Sequence, residues 1–195
     1  RDMQGRFVLG PRLGELSAAA GEDRLLATAG PVLARLRDIT GESAQLWRRQ
    51  GDHRVCVAAA ERPSGLRDTI PVGSQLTMRA GSAAQVLLAW EPPEVSADLL
   101  ARADLPAYTA HTLTTIPEMT GRLAAIREDG IAISEDEVDL DTVNIAAPVW
   151  QGGRVTAGIG IVVVGAQIAP EAIQRYVSRV RQAAEIVSER MDSIG

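Results

Sequence analysis

The segment Thr142–Val164, "TVNIAAPVWQGGRVTAGIGIVVV", constrains this chain more than any other. Two runs of strand-forming residues flank Gln151-Gly152-Gly153, a hairpin turn signal, so they must lie antiparallel. On the second run Val155, Ala157, Ile159, Ile161 and Val163 fall on one face, and Thr156, Gly158, Gly160 and Val162 on the other. On the first run Val143, Ile145, Ala147 and Val149 are apolar, while Thr142, Asn144 and Ala146 make a small, partly polar face. With the apolar faces matched, Asn144 shares a face with Gly158 and Gly160. Glycines so placed invite the close approach of another backbone or of a ligand. A helix packed on them and a pocket above them both satisfy the pattern. The pocket reading carries a test: Gly160→Leu should fill a cavity, abolish binding and leave the fold standing.

A second hairpin supports the same sheet. Ser43–Arg49 and Arg54–Ala60 read as strands joined at Gln50-Gly51-Asp52, and Leu66–Val72 reads as a further strand. Helical periodicity marks Pro11–Ala20, Asp23–Thr40 (ending at Gly41), Glu94–Arg102, Ile116–Asp129 (ending at Gly130) and Pro170–Arg190. The last carries Ile173, Val177, Val180, Ala184, Val187 and Met191 as one stripe. Hairpins alternating with helices predict an α+β domain, a mainly antiparallel sheet flanked by helices.

The stretch Leu76–Trp90, "LTMRAGSAAQVLLAW", passes from an extended run through small residues into an apolar helix. Ser82 with Gln85 three residues on has the form of a capping box. Such a helix start suits a small anion, and it equally suits a well-capped core helix; the stretch alone leaves both open.

Composition removes several function classes. The 195 residues carry 46% hydrophobic and 3% aromatic residues, enough for one sizeable aliphatic core. The net charge of −5, with twenty arginines scattered among carboxylates, argues against strong nucleic-acid binding by the chain itself. One cysteine excludes an internal disulfide and points to a reducing, cytoplasmic setting, and no apolar run is long enough to span a membrane. The chain opens on Arg rather than Met, so residues 1–9 are expected to be the cut end of a preceding domain.

Catalytic constellations are thin. His53 and Cys56 are three apart on a strand and point to opposite faces, so they make no nucleophile–base pair, and Cys56 reads as a small buried hydrophobe. His111 has no partner at metal-ligand spacing. The acidic run Glu135, Asp136, Glu137, Asp139, Asp141 lacks the calcium-loop glycine and spacing, and reads as a solvated loop. Neither Gly73-Ser74 nor Gly81-Ser82 fits a nucleophile elbow. Trp47, Trp90 and Trp150 are too far apart in sequence to be read as a cage. No enzyme activity, cofactor or metal is expected.

Taken in order, "GRFVLGPRLGEL", "ESAQLWRRQGDHRVCVAA", "LRDTIPVGSQLTMRAGSAAQVLLAW" and "IAAPVWQGGRVTAGIGI" resemble the C-terminal effector-binding domain of IclR-family transcriptional regulators, over nearly the whole chain. The first half is similar to an actinobacterial branch that controls amino-acid biosynthesis genes; beyond about residue 100 the chain departs from that branch. The resemblance implies a GAF-like fold. It also implies that residues 1–20 are the tail of a winged-helix DNA-binding domain with a linker helix, and that 21–195 form the effector domain. By position it places the effector against Met78, Ala80, Gly81, Ser82, Ala83, Asn144, Gly160 and Val162, with Gly158 beside them on the glycine face, and the acidic segment near the pocket mouth. Family members that bind small oxo-acids tend to carry Cys or Ser at the positions of Asn144, Gly160 and Val162. The residues here favour a carboxylate with an aliphatic or aromatic tail, an amino acid or its keto acid. The expected protein is a homodimer or tetramer that meets DNA only through its N-terminal domain and has no membrane partner. A free-standing GAF-like sensor or inert interaction domain is the alternative.

Overall fold

The computed structural model describes residues 22–62, 70–101, 107–165 and 168–193. The proposed wing tail and linker helix, including Pro11–Ala20, lie outside the described residues, as do residues 66–69 of the strand expected at Leu66–Val72.

Helix α1 (Glu22–Thr40) leads into the hairpin β1 (Ser43–Gln50) and β2 (His53–Ala60), then β3 (Gln75–Thr77). Helices α2 (Ser82–Ala89), α3 (Pro93–Ala101) and α4 (Ile116–Asp129) follow. The edge strand β4 (Ala132–Glu135), the hairpin β5 (Thr142–Gln151) and β6 (Arg154–Val164), and helix α5 (Pro170–Asp192) complete the order. The strands form one sheet in the order β3-β2-β1-β6-β5-β4, each neighbouring pair antiparallel. The α+β reading therefore holds. The strand expected at Leu66–Val72 does not: Ile70–Val72 is loop and turn, and the strand starts at Gln75.

Helices cover both faces of the sheet. One face takes α1 and α5. Leu25, Ala29, Val32, Leu33 and Leu36 from α1 meet Val177, Val180, Ala184, Val187 and Met191 from α5 over Ile145, Ile159 and Ile161. This is the stripe read from the sequence, and each valine so buried contributes about 1.5–3 kcal/mol. The other face takes α2 and α4, with Val86, Leu88, Met119, Leu123 and Ile126 over Trp47 and Cys56. All eight residues of α2 are buried, so this helix is held on every side.

A bulge corrects one facial assignment. Val149 pairs with Ala157 but Trp150 pairs with Val155, leaving Thr156 as an extra residue. Val155 is thereby turned away from Ala157, Ile159 and Ile161 and packs with the α2-side cluster. The same bulge region places Trp150 edge-on against Trp90, ring centroids 5.2 Å apart.

Candidate effector pocket

The floor of the site is made of rows of residues that pair directly across the sheet, so each row shares one face. One row runs Ser43, Val162, Asn144, Ser134; the next runs Gln45, Gly160, Ala146, Ala132; a third runs Trp47, Gly158, Pro148. The expected association of Asn144 with the glycine face is thus realised. The two glycines behave differently from one another. A Cβ on Gly158 would stand 3.6 Å from the Ala83 carbonyl oxygen and 3.7 Å from Val86, so here the glycine admits the backbone of α2. A Cβ on Gly160 would stand 2.2 Å from the Ile145 carbonyl oxygen and 3.0 Å from the Ala146 Cα. It would run into the neighbouring strand, not into a cavity, and Gly160→Leu cannot serve as the benign filling expected from the sequence.

The start of α2 forms one wall, and its capping differs from the box expected at Ser82 and Gln85. The N-cap is Gly81 at φ 85°, ψ 153°, a conformation that side chains resist, and no side chain caps the helix from that position. The first N–H groups are satisfied from across the sheet and loop. Ser82 donates its N–H to Ser134 Oγ at 2.9 Å. Gly81 donates to Glu137 Oε2 at 3.0 Å, and Gln85 Nε2 donates to the same oxygen at 2.7 Å. Glu137 is 3% exposed. The acidic run is therefore not wholly solvated: one of its carboxylates is buried at the positive end of a helix, where dipole and N–H groups favour it.

The loop that delivers Glu137 closes the site from above. It spans Asp136–Asp141, and both ends are left-handed, Asp136 at φ 56° and Asp141 at φ 58°, which Asp tolerates better than most residues. Asp136 Oδ1 accepts the Thr142 N–H at 3.1 Å, and the Asp141 carbonyl accepts the Gly165 N–H at 2.8 Å. From outside, Thr109 Oγ1 donates to the Asp136 carbonyl and Thr112 Oγ1 to the Glu137 carbonyl, at 2.5 and 2.6 Å. Val138 and Asp139 look into the hollow.

The hollow itself is about 30 Å³, room for one or two waters. Of the residues expected at the site, Gly81, Ser82, Ala83, Asn144, Gly160 and Val162 line it. Met78 lies in the α2-side core, Ala80 is fully buried behind the wall, and Gly158 sits beneath α2. Asn144 Nδ2 donates to Thr142 Oγ1 at 3.2 Å.

Gln45, Trp47, Ile70 and Arg54 also line the hollow and were not read from the sequence. Arg54 is 4% exposed, and its guanidinium lies 5.0 Å from the Trp47 ring centroid. A signal for it existed: Arg54 and Cys56 are two apart on one strand and share a face, and Cys56 was already read as buried. Burial lowers the Arg54 pKa to about 10, with Tyr108 and Glu137 acting in the opposite sense, so the group stays charged at neutral pH.

Cys56 lies on the same face, fully buried, and burial pushes its thiol up to about 11. Since the thiolate is the nucleophile, iodoacetamide at pH 8 should leave Cys56 unmodified in the folded protein and label it fully in guanidinium, as read by intact mass. Among the described residues no group of three or more His, Cys, Asp or Glu is arranged to hold a metal ion, and no described helix is long and apolar enough to cross a membrane.

The family model for the C-terminal region of the bacterial transcriptional regulator IclR matches residues 17–189. The chain belongs to this family. Among its IclR relatives is the HTH-type transcriptional repressor AllR of Klebsiella pneumoniae, 29% identical over 84% of this chain and 61% of the repressor. The HTH-type transcriptional regulator BhcR of Paracoccus denitrificans is 31% identical over 74% of this chain and 52% of the regulator. The chain thus spans between half and two thirds of these curated relatives' lengths. Among solved structures, an IclR homologue from Microbacterium hydrocarbonoxydans complexed with 4-hydroxybenzoate is 25% identical with a TM-score of 0.84, over 98% of this chain and 78% of that one.

Proposed function

We propose that this chain is the effector-sensing domain of an IclR-type transcriptional regulator, and that a small organic acid entering the hollow modulates DNA binding by a separate part of the protein. One observation carries the reading: the site already holds a carboxylate, that of Glu137, against the start of α2 and beneath a loop hinged at two left-handed residues. A carboxylate ligand is chemically at home there. The complex of a relative with 4-hydroxybenzoate supports the class. That the curated relatives are DNA-binding regulators favours this role over a free-standing sensor.

A metabolite of about ten heavy atoms needs far more than 30 Å³. Binding therefore requires the Asp136–Asp141 loop to move, and that displacement is the event a regulator can transmit. Asn144 orients a second polar group on the ligand, and the tail lies over Gly160 and Val162. An amino acid or its keto acid remains the favoured effector, the assembly is a homodimer or tetramer, and the setting is cytoplasmic.

The test is a thermal-shift and calorimetric panel of 4-hydroxybenzoate, pyruvate, branched-chain keto acids and branched-chain amino acids. A true effector should bind with roughly micromolar to millimolar Kd. At about 100-fold above Kd it should add about 2.7 kcal/mol to the folded state, a clear rise in melting temperature. Silence across the panel at ~10 mM, weaker than any useful Kd, would overturn the reading.

A further inference from the structure

We propose that Arg54 is the residue that fixes an acidic effector in this hollow, its Nε and Nη2 edge receiving the ligand's carboxylate as two parallel hydrogen bonds. The proposal rests on the effector-pocket reading above and names what gives that pocket its preference for an anion.

The guanidinium is almost wholly buried and lines the hollow with Gly81 and Val138. Its hydrogen bonds are made by Nη1 alone, to the Thr77 carbonyl at 2.8 Å and the Ala80 carbonyl at 2.5 Å. Nε has no hydrogen-bond partner. Among the described residues no carboxylate makes an ion pair with Arg54 within 4.0 Å, and Glu137, whose charge acts on it from farther off, stands 3.9 Å from Arg122 instead. A buried cation without a contacting counter-ion is costly, and either a ligand or the surrounding backbone must offset that cost.

The geometry separates those two explanations. Holding the carbonyls of Thr77 and Ala80 needs only Nη1. The other edge of the group, Nε with Nη2, is the fork that takes a planar carboxylate bidentately, which lysine cannot reproduce. Nη2 stands 3.2 Å from where a Cβ of residue 81 would be, so the glycine also keeps the approach to this edge free of a side chain. Trp47, with its ring 5.0 Å from the guanidinium carbon, holds the plane in orientation. While Glu137 and Ser134 stay in place, the N–H groups of Gly81 and Ser82 have internal acceptors, and the open edge of Arg54 is the charged donor that faces the ligand.

The experiment uses the whole chain and measures Kd for the acids of the panel, 4-hydroxybenzoate first, each beside its neutral amide. The parent should prefer acid over amide by about 100-fold, the scale of a charge-assisted fork. Arg54→Lys, which keeps the charge without the fork, should weaken acid binding about tenfold, and Arg54→Gln should bind acid and amide alike. Since Arg54→Gln also loosens the Thr77–Ala80 turn, circular dichroism first establishes that it folds. If it does not, the acid-to-amide ratio on the parent decides alone. Equal affinity of parent for acid and amide, or an Arg54→Gln protein with parental acid affinity, overturns the anchor and leaves the pocket reading intact. An absence of binding by every acid to the parent overturns the pocket reading, and the anchor with it.

Discussion

Gly160→Leu should unfold the domain or bring it close to unfolding, at a cost of at least about 3 kcal/mol. The reason lies in the first atom of the new side chain, not its bulk. A Cβ would sit 2.2 Å from the Ile145 carbonyl oxygen and 3.0 Å from the Ala146 Cα, both backbone atoms in the middle of the sheet. Rotamer changes cannot relieve a clash made by Cβ; only separation of β5 from β6 can, and these strands pair over ten residue positions. Gly160→Ala should therefore share most of the penalty. Gly158→Ala is the control. Its Cβ would find contacts at 3.6–3.9 Å, ordinary van der Waals distances, and the change should stay within about 1 kcal/mol of the parent. Guanidinium melts of the three variants check this; a Gly160→Ala protein as stable as Gly158→Ala would contradict the sheet geometry.

Glu137→Ala should cost about 2–4 kcal/mol, because it strips a charged acceptor from two buried donors, the Gly81 N–H and the Gln85 amide. For a domain of this size that is a fall in melting temperature of about 5–15 °C. The same change should raise affinity for small carboxylates about tenfold, since the helix dipole, the Gly81 N–H and the Gln85 amide then face the ligand uncompensated. Stability and affinity moving in opposite directions is the signature, read by melts with and without 4-hydroxybenzoate. If the variant melts with the parent, Glu137 does not hold the helix start; if it melts lower and binds acids no better, it holds the helix without competing for the ligand site.

Long periodic elements were legible in the sequence because burial on one side leaves a repeating mark. Helix α5 and the β5–β6 hairpin were read within two residues of their observed ends for that reason. Strands β3 and β4 have three and four residues, too few for any period to show. Val155 was assigned to the wrong face because a bulge resets alternation, and nothing in "RVTAG" announces one. At the site, small residues on the floor pointed to Asn144 and Gly160, but chemistry delivered from elsewhere did not. Glu137 is one carboxylate among five in its run, and only the folded loop distinguishes it. Ser82 looked like a cap, whereas the left-handed turn at Gly81 gives the capping work to Ser134 and Glu137 on other elements.

The threonine bonds that grip the loop from outside have a consequence for how a signal would leave the interior. Helix α2 is buried along its whole length and has nowhere to go when the hollow fills. The yielding part is the chain bearing Glu137, and its Asp136 and Glu137 carbonyls are tethered to Thr109 and Thr112. Lifting the glutamate out of the interior must either break those tethers or pull the 107–112 stretch along, with Tyr108 exposed upon it. In the proposed mode of binding, a chemical event in the centre of the domain would thus become a change of surface relief at one fixed address.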